Sequence, residues 1–408
     1  MVYAVFPDPR TLLVIQAAVI AAAAVPLYLV VFRETQSQFL SLAASGLYLA
    51  NPALHGVIRF DFHTECFLPL FIFLIYFSYP RVTPALFYAS VILLLSTIEY
   101  SAVIGLGIGV SFWVSRGRVN KRILFILLSS LSLLVVVALS TLGGVFRQWN
   151  WSPNWLTQQF VGSSSQPTNT QGLGFVNNPG VLLASIQYDL PLKILYLLLA
   201  TAPLWSSIVR YRVRMIPAFP WIAIVIITSR FSYFVIDFQY SVFLIPFVYL
   251  AAIPFFKSLE GKRTRILSLI LVALSITVFS SALSPIRPYS LWPSPNPLES
   301  TIVSISSSLP ANATVLTESD IFPQLANHPY VTINYTAPEP PQYILVNFES
   351  SWYNWTNTGL GYPQSPREQV QRYLAQYSYV LTFQAAGLHL YELASPQQLY
   401  PTPVRSAD

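Results

Sequence analysis

The sequence predicts a polytopic α-helical membrane protein of about ten spans, 1–283, followed by a C-terminal extracytoplasmic α/β domain, 298–398. Three observations carry this. Only 9% of the 408 residues are charged and 54% are hydrophobic, against a charged share of roughly 25% in soluble domains. Apolar runs of about the length that crosses a hydrocarbon core, roughly 17–25 residues each, account for most of positions 1–283. From Ser284 onward the apolar segments shorten to strand length, and 16 of the 32 prolines fall in the last 125 residues.

Taken in order, the candidate spans are 11–32, 38–58, 66–80, 83–98, 101–115, 122–143, 191–209, 214–229, 239–256 and 265–283, several of them short or broken by proline. One set of loops holds Arg33, Arg81, Arg116, Arg118, Lys121, Arg122, Arg210, Arg212, Arg214, Lys257, Lys262, Arg263 and Arg265. The other holds only Arg10, Arg59, Arg147, Lys193 and Arg230. Basic residues accumulate on the cytoplasmic side, so both termini and the long loop at 145–190 are expected outside a plasma membrane. The net charge of +6 therefore gives no reason to expect nucleic acid: 18 of the 22 Lys/Arg lie in 1–283, where they orient helices. Asp8 and Pro9 precede the first run without a basic stretch, so that run does not read as a cleavable signal. Cys66 is the only cysteine and supports no disulfide framework.

The tail begins with a proline-rich linker, 284–297, and ends in a polar stretch, 399–408. Between them lie a helix at 298–309 and strand-like runs at 313–317, 330–335, 343–348, 379–383 and 388–393, alternating with helical stretches near 320–327 and 367–376. That alternation predicts a small α/β sandwich with a largely parallel sheet. Glycosylation-type triplets starting at Asn312, Asn334 and Asn354 all fall on this side of the predicted topology.

Ionisable groups at membrane depth are costly, so they are the first candidates for chemistry. The densest group runs from Arg59 through Asp61 and His63 to Glu65, at the outer end of the second span. In an extended segment, alternate side chains share a face, which would aim Asp61, His63 and Glu65 at one point. Such a set would hold Mg²⁺ or Mn²⁺, or serve as a base with an orienting partner; as a helix-to-helix turn, it would simply face water. Glu99 lies on the same outer side and either joins that site or pairs with Ser96 in a capping box. Asp237 reads as a helix cap. Arg230, Arg147 and Lys193 would meet a lipid head group or snorkel to the surface. The sequence holds no phosphate loop and no dinucleotide fingerprint.

The run from Leu47 to Glu65, with Asn51-Pro52 followed by Phe60-Asp61-Phe62-His63-Thr64-Glu65, resembles an uncharacterised prokaryotic family of predicted membrane proteins. The resemblance extends over the Glu99 segment, the 240–252 span and the tail. That family is grouped distantly with GT-C glycosyltransferases, enzymes that take sugars from polyprenyl-phosphate carriers at the outer membrane face. The resemblance implies a GT-C-like transferase; the ionisable residues offer Asp61, Glu65 and Glu99 as its candidate catalytic carboxylates, with His63, Arg59 and Arg230 toward the substrate. It also implies a further span upstream, ending in an external acidic loop. Two positions depart from the family: Ile98-Glu99-Tyr100 keeps only the acid of a Lys-Glu-Asp motif, and Gln239 stands where an aromatic residue or His is expected. The competing expectation is a non-catalytic membrane scaffold or receptor whose external domain binds a partner.

Overall fold

A computed structural model describes residues 6, 8–59, 61–80, 84–142, 179–202, 204, 212–228, 231–236, 238–282, 297–318, 321–325, 327–333, 339–349 and 366–394. The linker up to residue 296 and the stretch 399–408 lie outside them. Two compact units divide the chain, one of residues 12–291 and one of 292–408 with 1–11.

The first apolar run forms α1 (Pro9–Ala22) and α2 (Ala24–Thr35). Pro26 lacks the N–H that would reach back to Ala22, and the interruption falls there. Gln36 ends α2 with a left-handed backbone, φ 55°, that brings its N–H to Phe32 O at 2.7 Å. Ser37 then opens α3 (Gln38–Leu49) by accepting from Leu40 N. The expected 38–58 span divides at Asn51 and Pro52, because a capping Asn followed by Pro at the first helical position starts a new helix, α4 (Pro52–Arg59).

A single 3₁₀ turn, Thr64–Phe67, leads into α5 (Leu68–Ser78), followed by α6 (Pro84–Leu95), α7 (Ser101–Arg116) and α8 (Lys121–Leu142). A Cβ on Gly109 of α7 would lie 2.5 Å from Leu127 Cδ2 of α8, so a larger residue there would have to push that leucine aside. Within the expected outer loop lies a helix that sequence reasoning missed, α9 (Pro179–Gln187), too short at nine residues to read as a span. Next come α10 (Leu190–Thr201), a 3₁₀ turn Arg212–Ala218 entering α11 (Phe219–Ile227), a 3₁₀ turn Gln239–Phe243 entering α12 (Ile245–Ser258), and α13 (Arg263–Ala282).

Residues 247–253 of α12 are fully buried, which makes this helix, apolar on every side, the centre of the unit. By contrast α8 exposes Leu124, Leu128, Leu131, Val135 and Leu139, a stripe at helical spacing, and α13 exposes Leu267, Leu271 and Leu274. Water disfavours such stripes and hydrocarbon accepts them. All ten apolar runs are helical where described, but among the described residues only Arg10–Thr35 and Lys121–Ser140 are long and apolar enough to cross a membrane by themselves. The others are apolar helices of 10–17 residues. Prolines shorten them: Pro52, Pro69, Pro84, Pro220 and Pro246 each sit in a first helical turn and fix where that helix begins.

The second unit contains α14 (Pro297–Ser308), β1 (Val315–Thr317), a 3₁₀ turn Phe322–Leu325, β2 (Val331–Thr332), β3 (Tyr343–Asn347), α15 (Pro366–Gln376), β4 (Tyr379–Ala385) and β5 (Leu388–Leu393). Strand order is β2-β1-β3-β5-β4. Pleating sends alternate residues to opposite faces. Val315, Leu345 and Leu390 pack with Ile302 and Ile305 of α14 on one face, while Leu316, Ile344 and Val346 pack with Val370 and Tyr373 of α15 on the other.

The expected largely parallel sheet is mixed. β1 runs parallel to β2 and β3, but β5 is antiparallel to both β3 and β4. The cause is a two-residue hairpin at Ala386-Gly387, with φ of 45° and 80°, the handedness that suits strand twist. Alanine in place of the usual Asn or Asp hid that turn from a sequence reading.

His389 on β5 meets the Phe348 ring at 4.5 Å in a tilted contact, and burial holds its pKa below the usual histidine range. The unfolded chain therefore binds more protons than the folded one below about pH 6.5. Stability is complete above that value and falls as the pH drops through the window toward the depressed folded pKa. Expressed alone, 296–398 should melt at a lower temperature at pH 5.5 than at pH 7.5, and His389→Gln should shrink the difference. An undiminished difference in the variant would assign the acid sensitivity to other groups.

Candidate functional site

Asn51 sets the entrance to the motif segment. Its Oδ1 accepts from Ala53 N at 3.0 Å, capping α4, while its Nδ2 donates to Ala200 O at 3.1 Å and lies 3.5 Å from the Tyr249 hydroxyl. At the other end of α4 the chain extends through residues 61–63, held by Gln16 of α1. The Gln16 amide donates to Val57 O at 2.7 Å and its carbonyl oxygen accepts from His63 N at 3.0 Å. This fully buried glutamine sits inside an apolar run, and only its polarity there marks it in the sequence.

His63 Nδ1 lies 2.7 Å from Asp61 O. A carbonyl oxygen only accepts, so Nδ1 carries the proton of this hydrogen bond. The extended geometry ends at His63, with φ −134° and ψ 139°. From Thr64 the chain coils into the 3₁₀ turn, so Glu65 leaves the face shared by alternate residues. Asp61 is exposed, His63 half-buried and Glu65 only 6% exposed. Among the described residues no group of three His, Cys, Asp or Glu is arranged to hold a metal ion. Asp61, His63 and Glu65 are therefore not gathered as the expected metal triad.

The Glu65 carboxylate makes no hydrogen bond or ion pair among the described residues. It sits in the first turn of the continuous Thr64–Ser78 helix, where exposed N–H groups and the helix dipole favour a carboxylate. Thr64 Oγ1 donates to Thr97 O at 2.9 Å, which joins this turn to the loop bearing Glu99. Ser96 does not form the expected capping box: its hydroxyl donates back to Leu93 O at 2.9 Å, and α7 begins at Ser101 without a side-chain cap. Glu99 itself is exposed.

The Gln239–Phe243 turn packs against both α4 and the Glu65 turn. Phe243 meets the Tyr100 ring at 4.9 Å and Trp221 at 4.6 Å; Trp221 in turn meets Tyr240 at 5.7 Å and Tyr233 at 5.3 Å. On the segments that carry these rings, Tyr100 Oη, Ser101 Oγ, Ser232 Oγ, Gln239 Oε1 and Ser241 Oγ are each buried with no hydrogen-bond partner among the described residues. Most buried polar atoms in proteins are paired, so five unpaired ones on these segments are unusual.

A family model described as Predicted membrane protein (DUF2079) matches residues 1–398. The chain belongs to that family. No curated protein matches it.

At the opposite end of α5, roughly 16 Å away at 1.5 Å per residue, the DUF2079 chain gathers its arginines. Arg33 donates to Phe77 O at 2.6 Å and Tyr76 O at 3.2 Å, and Arg122 donates to Ser78 O at 3.1 Å and to Tyr79 O. Both satisfy carbonyls at the negative end of α5. Arg214 Nη2 reaches both Glu34 carboxylate oxygens at 3.0 and 2.9 Å. One helix thus separates a carboxylate-bearing end from a guanidinium-bearing end.

Lys193 corrects a sequence expectation. It neither snorkels nor waits for a lipid head group. Its ammonium is buried, donating to Ser185 O at 2.6 Å and Ile226 O at 3.0 Å. Those carbonyls belong to the last turns of α9 and α11, so one cation serves two helix C-termini. Arg230, Asp237, Arg147 and the Arg59 side chain lie outside the described residues.

Proposed function

We propose that this DUF2079 protein is a multi-pass GT-C-like glycosyltransferase, with Glu65 as the base of a site at the outer membrane face and a polyprenyl-phosphate sugar as donor. The observation that carries the reading is Glu65: a carboxylate 6% exposed, without a hydrogen bond or ion pair among the described residues, beside a cluster of unpaired polar atoms. Burying an unpaired charge is costly, and the helix N-terminus offsets part of that cost. A working base must keep an oxygen open for the proton it takes.

In the proposed reaction the acceptor hydroxyl oxygen attacks the anomeric carbon of the donor. The bond from that carbon to the phosphate oxygen breaks, the phosphate leaves with the electron pair, and the hydroxyl proton ends on Glu65. Asp61 and Glu99, both exposed and linked through the Thr64–Thr97 hydrogen bond, border the entrance and orient the acceptor. His63, on the same segment, orients a further hydroxyl; Arg59 and Arg230 receive the phosphate.

The reading includes a topology of ten crossings, with thirteen basic loop residues in the cytoplasm and both termini outside. The segregation of Arg33, Arg122 and Arg214 from Glu65 along α5 supports it. Reporter fusions after Arg118, Arg212 and Arg263 should report cytoplasm, and fusions after Gly162 and Ser300 the outside. An external signal at Arg212 would invert the site and end the proposal. The alternative, a non-catalytic scaffold or receptor, draws on the α/β unit, which builds two cores of its own. A chain that moves no labelled sugar from a supplied donor, yet retains an envelope component on 298–398, would favour it.

A further inference from the structure

The turn between α7 and α8 carries charge that the proposed reaction does not use. From Val110 to Leu128 the sequence holds Arg116, Arg118, Lys121 and Arg122 and no acidic residue. Arg122 is committed to the C-terminal carbonyls of α5. Arg116, Arg118 and Lys121 are exposed, and among the described residues their side chains form no hydrogen bond or ion pair.

Residues 117–120 hold these cations on one fixed turn. Gly117 ends α7 with φ 66°, a left-handed conformation that glycine adopts without strain, and its N–H reaches Trp113 O at 2.8 Å. Asn120 opens α8, its Oδ1 accepting from Arg122 N at 3.1 Å and Ile123 N at 3.0 Å. The Asn120 amide also donates to the Tyr79 hydroxyl at 3.0 Å, and the Arg116 guanidinium lies 5.1 Å from the centre of the Tyr79 ring. Tyr79 thus engages the end of α7 and the start of α8 together.

The surroundings of the turn decide between kinds of anion. Lys121 begins one of the two described helices long and apolar enough to cross a membrane, so the turn stands where a span leaves hydrocarbon. Trp113, Val114 and Val119 are exposed around the cations, and from Leu124 the outward apolar stripe of α8 runs on through Leu128 and Leu131. Tryptophan favours this interfacial level. A dissolved anion would meet the cations and leave the apolar surface bare. A lipid with an anionic head group covers both.

We propose that the α7–α8 turn is a binding site for an anionic phospholipid, with the head-group phosphate on Arg116, Arg118 and Lys121 and an acyl chain along Leu124, Leu128 and Leu131. The site lies at the guanidinium-bearing end of α5, away from Glu65, and stands independently of the transferase reading. Basic loops orient spans wherever they occur; a site adds selective retention of one lipid class at one turn.

The test titrates the purified full chain in neutral detergent with phosphatidylglycerol, phosphatidylcholine and inorganic phosphate, reading bound lipid by native mass spectrometry. Wild type should bind phosphatidylglycerol at least about ten-fold more tightly than phosphatidylcholine, and Arg118→Gln should cut that preference roughly five-fold, the scale of one cation beside an anionic lipid surface. Arg116→Gln, Arg118→Gln and Lys121→Gln together should abolish it. Lys257→Gln, Lys262→Gln and Arg263→Gln together remove the same charge from the exposed α12–α13 turn and should leave the preference intact. All these side chains are exposed, so melting in phosphatidylcholine should not change; should a triple variant melt early, Arg118→Gln alone decides. Equal wild-type affinity for the two lipids, or equal loss in the α12–α13 variant, would overturn the site. Displacement of phosphatidylglycerol by inorganic phosphate at comparable concentration would also overturn it, leaving a soluble-anion site in its place.

Discussion

Glu65→Gln should lower sugar transfer by roughly 10²–10⁴-fold, the usual contribution of a positioned general base, while the protein melts at an unchanged or higher temperature. Both halves follow from one environment. Glu65 is almost fully buried in the first turn of its helix and forms no ion pair among the described residues, so the neutral amide removes a burial cost that the charge incurs. The amide also cannot take the acceptor proton. Asp61→Asn and Glu99→Gln, at exposed positions, should cost much less. An early-melting Glu65→Gln would mean that the carboxylate holds the fold.

The largest expected loss of stability in the helical unit is at Asn51. Asn51→Ala removes a helix cap, worth about 1–2 kcal/mol, and leaves Ala200 O without its donor at about 1–3 kcal/mol, for a combined loss of about 2–5 kcal/mol. Asn51 is buried, and its partners come from α10 and α12 as well as from its own helix. The loss should appear as an earlier thermal transition in detergent. Asn51→Ser, which keeps a capping oxygen, should recover the cap alone. Equal loss in both variants would locate the stabilisation entirely in the Ala200 and Tyr249 contacts.

Much of this architecture is legible in the sequence because burial in helices and strands imposes a period. The ten apolar runs and every strand of the tail follow from hydrophobic spacing, since a run has to satisfy either the helical or the strand repeat along its whole length. What was not legible depends on one or two backbone angles. The chain turns at Thr64 rather than two residues later, and that choice carries Glu65 away from Asp61 and His63 and dissolves the expected metal triad. Ala386-Gly387 closes a hairpin without the usual Asn or Asp, and the sheet becomes mixed as a result.

The candidate site was half legible. Asp61, His63, Glu65 and Glu99 stand out as charges near apolar runs, and Thr64 and Thr97 tie their two loops together. Gln16, Ser101, Ser232 and Gln239 do not, because a neutral polar residue in an apolar helix is compatible with many roles until its neighbours are known. Lys193 shows the reverse. Its charge attracts a functional reading, yet three-dimensional packing gives it two helix C-termini to serve.

The central claim is that Glu65 takes a proton at a site for a lipid-linked sugar. Its most direct test is the rate at which the purified full chain in nanodiscs moves radiolabel from polyprenyl-phosphate hexose into an envelope acceptor, for wild type and Glu65→Gln side by side. The account predicts transfer by wild type and a loss of at least about 100-fold in the variant at equal protein and equal melting temperature. Equal transfer by the two proteins, or none by wild type with donor and acceptor supplied, would contradict it.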